Sequence, residues 1–242
     1  LKGSMEKLKQ LQSGNGGFVW FKGGPDDRYI TQYIVSGIGH LKQLGIDLHN
    51  NASLQAILKT AVPYLDKKIK EDYEEILKRR KNQKSSPRED LGGPQIQYLY
   101  MRSFFPEYPV AKSSQTAVDY FRKQSQLYWT KQSNYMQGMI ALALSRTGDI
   151  KTPNEILKSL KERAIINDEL GMYWSQIPSG KNENMGWFWW QAPIETQSLL
   201  IEAFQEISKD TKTVDDLKTW LLKNKQTTNW RTTKATAEAC YA

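Results

Sequence analysis

A chain of 242 residues with 39% apolar, 11% aromatic and 25% charged residues is large enough to bury a substantial core and is not of disordered composition. Its net charge of +8 does not single out nucleic acid, because Asp66 to Asp90 interleaves nine basic with seven acidic residues, the pattern of a solvated helix face. Cys240 is the only cysteine, which rules out an internal disulfide framework, and no run of 18 apolar residues exists, so no segment is expected to enter a membrane.

In chain order, Ser4 to Gln12 reads as a short helix. Gly14 to Gly24 holds five glycines among Phe18, Trp20 and Phe21 and reads as loop. Asp26 or Asp27 caps a helix to about Leu44, with Ile30, Ile34, Ile38 and Leu41 as its apolar face, and Gly45 ends it. Ser53 opens a long helix that Pro63 should kink, with Tyr73, Ile76 and Leu77 as the buried stripe of its second half. Lys81 to Gly93 reads as loop. Pro94 opens the next helix, which Pro106 stops.

Ser113 or Ser114 then caps a helix through Leu127, and Ser133 another through Leu144. Thr152-Pro153-Asn154-Glu155 has the form of a capping box with proline in the first turn. Gly171 to Ala192 packs Tyr173, Trp174, Trp187, Phe188, Trp189 and Trp190 into a turn-rich stretch. Rings of this kind bury roughly 150–250 Å² each, so the stretch is expected to fold against something. A helix follows at Pro193, another starts at Thr213 with Asp216, and a last one occupies Arg231 to Ala242. At most Phe18–Phe21 and Met172–Gln176 suit short ribbons.

A recurrence organises these elements. Aligned on their starts, five helices read ITQYIV, QIQYLY, YMQGMI, ETQSLL and ATAEAC, with Gln32, Gln97, Gln137, Gln197 and Ala237 in third place at intervals of 65, 40, 60 and 40 residues. One further helical segment lies between each pair, so the chain reads as helical hairpins that bury their apolar faces on one another. The helices at 28–44, 94–105, 133–147, 193–208 and 231–242 are apolar and carry small residues, while those between are more charged. An inner ring inside an outer amphipathic ring accounts for that difference. The expected fold is an all-α, α/α toroid of helical hairpins over 1–242, incomplete at its ends. The four glutamines should bond backbone groups of the adjoining turns.

The inventory of chemical groups points away from catalysis. His40 and His49 are neither a metal pair on one helix face nor placed by sequence near Cys240. His40 reads as a structural histidine and Cys240 as a small core residue. No Gly-Lys-Ser/Thr follows the glycines, so no phosphate loop is expected. Asp26, Asp27, Glu195 and Glu238, at starts of motif helices, would gather at one end of a toroid. Glycosidases and lyases of toroid shape use a carboxylate pair, or tyrosine and arginine, in a central cleft, although capping and dipole roles already account for these four. A terpene cyclase would share the Gln-Trp-like turn QSGNGGFVW, but Asp26-Asp27-Arg28-Tyr29 is not its aspartate-rich motif. No catalytic residue, metal or cofactor is expected.

Three blocks carry a family resemblance: GGFVWF with DDRYITQYIV, then YWSQ with GWFWWQAPIETQSLLIEAF, then DLKTWLLKNKQTTNWRTTKATAEACYA. They resemble the thioester-containing domain of the α2-macroglobulin and complement family, most closely its large bacterial members of Bacteroidetes type. The likeness is weak between residues 46 and 130. It implies an α/α toroid within a long periplasmic or cell-envelope protein that inhibits endopeptidases by trapping them. The implied partners are the other domains of that protein and its target proteases. The chain opens without a signal peptide and reads as a piece of a longer protein, with targeting sequence upstream. The family's Cys-x-Glu-Gln is not in this segment; it lies upstream or the parent lacks it. In that setting Trp20, Trp174, Trp187, Trp189 and Trp190 are the aromatics that would shape a water-excluding surface or dock neighbouring domains.

Overall fold

The computed structural model describes residues 2–48, 50–82, 89–174, 193–225, 230 and 232–242. Among them the protein is mostly helical, with ten α-helices and two short antiparallel ribbons. The chain divides into two compact units, Leu1–Tyr128 and Trp129–Ala242.

The first unit holds α1 (Lys2–Gln10), a ribbon of β1 (Phe18–Val19) with β2 (Asp26–Asp27), α2 (Arg28–Gln43), α3 (Ala52–Asn82), α4 (Gly93–Ser103) and α5 (Lys112–Tyr128). Its packing follows an alternation along the chain. α2 lies against α4 and α3 against α5, and α2, α3 and α4 each also touch the helix that follows. Asp27 starts α2, its carboxylate accepting from Ile30 N at 2.8 Å. Gly39 sets how closely α4 approaches: a Cβ there would meet Phe104 Cγ at 2.4 Å.

The buried face of α2 is Thr31, Gln32, Val35, Ile38 and Gly39. The expected stripe through Ile30, Ile34 and Leu41 is therefore rotated, with only Ile38 in common. The cause is the small and polar residues, since Gly39 admits an aromatic ring and Thr31 and Gln32 bond the turns. α3 runs as one helix through Pro63, started by Asn51, whose side chain accepts from Leu54 N at 3.1 Å. Its buried row is Leu54, Ile57, Leu58, Ala61, Leu65, Ile69 and Ile76, and Leu77 faces outward instead of completing the stripe. At α5, Ser114 is buried inside the first turn rather than capping it.

The second unit holds a 3-10 turn (Trp129–Lys131), α6 (Asn134–Arg146), α7 (Lys151–Glu162), a ribbon of β3 (Ile165–Asn167) with β4 (Gly171–Tyr173), α8 (Pro193–Ala203), α9 (Thr211–Lys223) and α10 (Thr233–Tyr241). α8 packs on both α6 and α10, while α7 lies on α6 and α9 on α8 and β4. α8 is buried from Ile194 to Ala203 and α6 from Tyr135 to Leu144. α7 buries only Thr152, Pro153, Ile156, Leu157 and Leu160. Within this unit, then, α6 and α8 are dry and α7 and α9 half-wet, while α10 buries only Ala235.

Helix starts here follow side-chain oxygens. Ser133 caps α6 as expected, accepting from Met136 N at 3.3 Å. α7 starts earlier than Thr152, because Asp149 accepts from Thr152 N at 3.1 Å. Likewise Asp210, not Thr213, starts α9, taking both the amide and the hydroxyl of Thr213. A carboxylate three residues upstream outcompetes a hydroxyl because it adds charge to the helix dipole. α8 ends in a π turn, Phe204–Ser208, closed by Lys209 in the left-handed region with its N–H on Phe204 O at 3.0 Å.

Candidate functional site

The loop between α1 and α2 is pinned at many points. Asp26 accepts from the Ser13 hydroxyl and the Asn15 amide, and these bonds hold its carboxyl below the usual carboxylate range. Gln12 Nε2 donates to Gly16 O at 3.1 Å and, across to α3, to Ile57 O at 3.2 Å. Gly16 adopts φ +97, and a Cβ there would sit 2.2 Å from Thr60 O. Phe18 is fully buried as the loop's anchor. From this fixed base Trp20 and Phe21 project with 62% and 66% of their surface exposed. The two rings give this loop an exposed apolar tip.

A second arrangement recurs in both units. Phe18 N donates to Thr31 Oγ1 at 2.8 Å, and that hydroxyl donates to Asp27 O at 2.7 Å, one turn back. Trp230 N donates to Thr236 Oγ1 at 3.1 Å, and Thr236 donates to Thr232 O at 3.0 Å. In each case the residue at the start, Asp27 or Thr232, also caps its helix. The repeated aromatic–threonine spacing is thus one clasp that joins a loop backbone to the helix after it.

The glutamines use the same turns. Gln32 Nε2 donates to Pro94 O and to Gln97 Oε1, both at 3.3 Å, while Arg28 Nε donates to its oxygen at 2.9 Å. Gln137 Nε2 donates to Gln132 O at 2.8 Å, and its oxygen accepts from Arg163 Nη2 at 2.7 Å. Gln197 Nε2 donates to Met172 O at 2.7 Å and Leu217 O at 3.0 Å, joining α8 to β4 and α9. Three of the four therefore donate to backbone carbonyls; Gln97, half-buried, accepts from Gln32. Gln197→Leu should cost about 1–3 kcal/mol, the price of unpaired buried polar groups. Urea denaturation checks this, and a loss below about 0.5 kcal/mol would mean the amide is idle.

Trp174 is buried at 5% exposure, its indole N–H on Leu160 O at 2.9 Å. It plugs the space between α7 and β4 and presents no ring to solvent. Trp187, Trp189 and Trp190 lie outside the described residues, as do Phe188 and His49. His40 is half-buried, its Nε2 2.9 Å from the Tyr100 hydroxyl and its ring edge-on to Phe104. Cys240 is exposed, not a core residue, since α10 turns Ala235 and the 234–238–241 side inward. Among the described residues no three His, Cys, Asp or Glu side chains are placed to hold a metal ion, and no helix is long and apolar enough to cross a membrane.

Of the four acidic residues singled out at helix starts, Asp27 is a cap and Asp26 a loop fastener. Glu195 sits in the first turn of α8, buried at 6% exposure. Glu238 lies in the middle of α10, not at its start. The sequence reading missed Arg146, whose guanidinium reaches Glu202 at 2.6 Å and Glu206 at 2.5 Å with its side chain 7% exposed. It also missed the buried trio Asp66, Tyr98 and Arg102. The signal was there in the spacing, because Glu195, Ser198 and Glu202 form a polar stripe on an apolar helix. Neither a family model nor a curated protein matches this sequence.

Proposed function

We propose that this chain is the core of a thioester-type domain in a bacterial α2-macroglobulin-like protein of the cell envelope. Its helical hairpins would form part of an α/α toroid, and the parent protein would inhibit endopeptidases by trapping them. The observation that carries this reading is the pinned loop presenting Trp20 and Phe21 to solvent, within one of the blocks that resemble that family. The contrast in the second unit between the dry α6 and α8 and the half-wet α7 and α9 supports the toroid. The exposed rings are read as the face that docks a neighbouring domain of the same protein and keeps water from the space between them. Such exclusion is what a strained acyl bond needs in order to persist.

The test uses the full-length protein challenged with a general endopeptidase. Trapping leaves the protease active on a small peptide and silent on a protein substrate. The double variant Trp20→Ala, Phe21→Ala should abolish most of that shielding. The same pair in the 242-residue chain should change stability by no more than about 0.5 kcal/mol, since the rings are already in water. A full-length protein that shields neither substrate would overturn the reading. Methylamine uptake then separates covalent capture from steric trapping alone.

A further inference from the structure

Asn15-Gly16 is the only Asn-Gly pair in the sequence, and it lies in the loop between α1 and α2. In such a pair no Cβ shields the glycine amide nitrogen, which can close a succinimide ring on the asparagine side chain. The reaction needs nothing but water. The Gly16 nitrogen attacks Asn15 Cγ, the bond from Cγ to Nδ2 breaks, and ammonia leaves with the amide proton. Water then opens the succinimide at one or other carbonyl, leaving aspartate or isoaspartate.

The loop holds each reacting group away from this course. Gly16 N donates to Ser13 O at 2.9 Å, which occupies the proton that attack must shed. The Asn15 side chain is held at both ends: its oxygen accepts from Gly17 N at 2.9 Å, and its nitrogen donates to Asp26. Gly16 O accepts from Gln12 Nε2 at 3.1 Å, and Gly16 is backed against Thr60 O, where a Cβ would come within 2.2 Å. Turning the Gly16 nitrogen onto Asn15 Cγ therefore breaks the Ser13 bond and displaces a residue packed against α3. The Gly17 bond alone favours attack, since it polarises the Asn15 amide carbonyl, but it gains nothing while the nucleophile cannot turn. Asn15 itself is exposed, so water is at hand whenever the loop opens.

We propose that Asn15 is a self-modifying residue that the pinned loop keeps intact: while the loop is closed the asparagine persists, and once it opens Asn15 is converted to aspartate or isoaspartate and the loop no longer closes. Either product loses the Nδ2 donor and sets a second carboxylate against Asp26, which the Ser13 and Asn15 donors hold in place. Isoaspartate also adds a methylene to the main chain inside a turn whose ends are tied, Ser13 N to Gly17 O at 2.8 Å. The change runs one way, because the ammonia is lost. Trp20 and Phe21 ride on this loop, so each opening puts their presentation at risk. The inference holds whatever covers those rings and does not rest on the proposed function.

The test incubates the 242-residue chain slightly above neutral pH, folded in buffer and unfolded in urea, and follows the peptide holding Asn15 by mass spectrometry. Conversion should be slower in the folded chain by on the order of 10- to 100-fold, set by the fraction of time the loop spends open. Gln12→Ala, which frees Gly16 O, should react faster than wild type in buffer and equally fast in urea. Equal wild-type rates in buffer and urea, or an unchanged Gln12→Ala rate in buffer, would overturn control by the loop. Should Gln12→Ala not fold, hydrogen exchange of the Gly16 amide in folded wild type decides. Protection matching the slowing supports the control, and an unprotected amide sinks it. Asn15→Asp should lower protection of the Ser13 and Gly16 amides on the order of 10-fold, and wild-type protection there would refute the failure to reclose. If that variant does not fold, the converted fraction of aged wild type is read in its place.

Discussion

Replacing Arg102 by alanine should destabilise the first unit by about 3–5 kcal/mol, because it strands a buried carboxylate. Arg102 and Asp66 have side chains only 8% and 7% exposed, with Nε 3.1 Å from Oδ1. The same Asp66 oxygen accepts from the Tyr98 hydroxyl at 2.6 Å, and burial pushes that phenol well above its ordinary 10. The other guanidinium nitrogens donate to Phe105 O at 2.6 Å and to Tyr108 O. They tie down the turn that follows α4. Truncation therefore loses the partner of one charge and frees two carbonyls, while the packing term alone would be smaller. Urea denaturation of the single variant and of Arg102→Met with Asp66→Leu separates these contributions. The double change should recover most of the loss, because apolar replacements leave no charge behind. A single-variant loss below about 1 kcal/mol would show that water already reaches Asp66.

The second large effect is expected at Gly171, where β4 begins beneath α9. Its φ is +77, and a Cβ would lie 2.1 Å from Asp216 O and 3.0 Å from Thr219 Cβ. Valine there meets two separate penalties: a left-handed backbone that β-branched residues resist, and a main-chain atom that cannot rotate away. Together they come to about 3–5 kcal/mol. Gly23 provides the comparison, since it adopts φ +87 with nothing within 4 Å of a Cβ. Gly23→Val isolates the backbone penalty, and the difference between the two variants in thermal denaturation measures the collision. Equal losses at both positions would mean that α9 simply shifts to make room.

Helix existence and order were legible because the apolar spacing and the turn residues between segments are both strong. The starts at 28, 94, 133 and 193 lie within a residue of the observed ones. Buried faces were less legible, and α2 shows why. Periodicity weights isoleucine and leucine, so it favours Ile30, Ile34 and Leu41, whereas the real contact is made by Thr31, Gln32 and Gly39. A glycine that admits Phe104 and a threonine that bonds a loop carry no hydropathy signal. Cys240 was misread for the related reason that an alanine-rich helix has no apolar face to point it inward. The recurring glutamines were found because the repeat exposed them, not because of their chemistry. The Tyr241–Glu202 bond needed α10 and α8 to be brought side by side, which spacing within either one could not supply.

The clasp made by Thr31 and Thr236 also bears on the order in which the chain assembles. It joins residues only 13 apart at Phe18 and 6 apart at Trp230. Loops of that size close within roughly 10–100 ns and lose little chain entropy in doing so. The Asp66–Arg102 pair spans 36 residues and the Arg146–Glu206 pair 60, so both wait for whole helices to meet. Each loop is thereby fastened to its own following helix before that helix has neighbours. Assembly can then proceed hairpin by hairpin, with the aromatic turns travelling as finished parts.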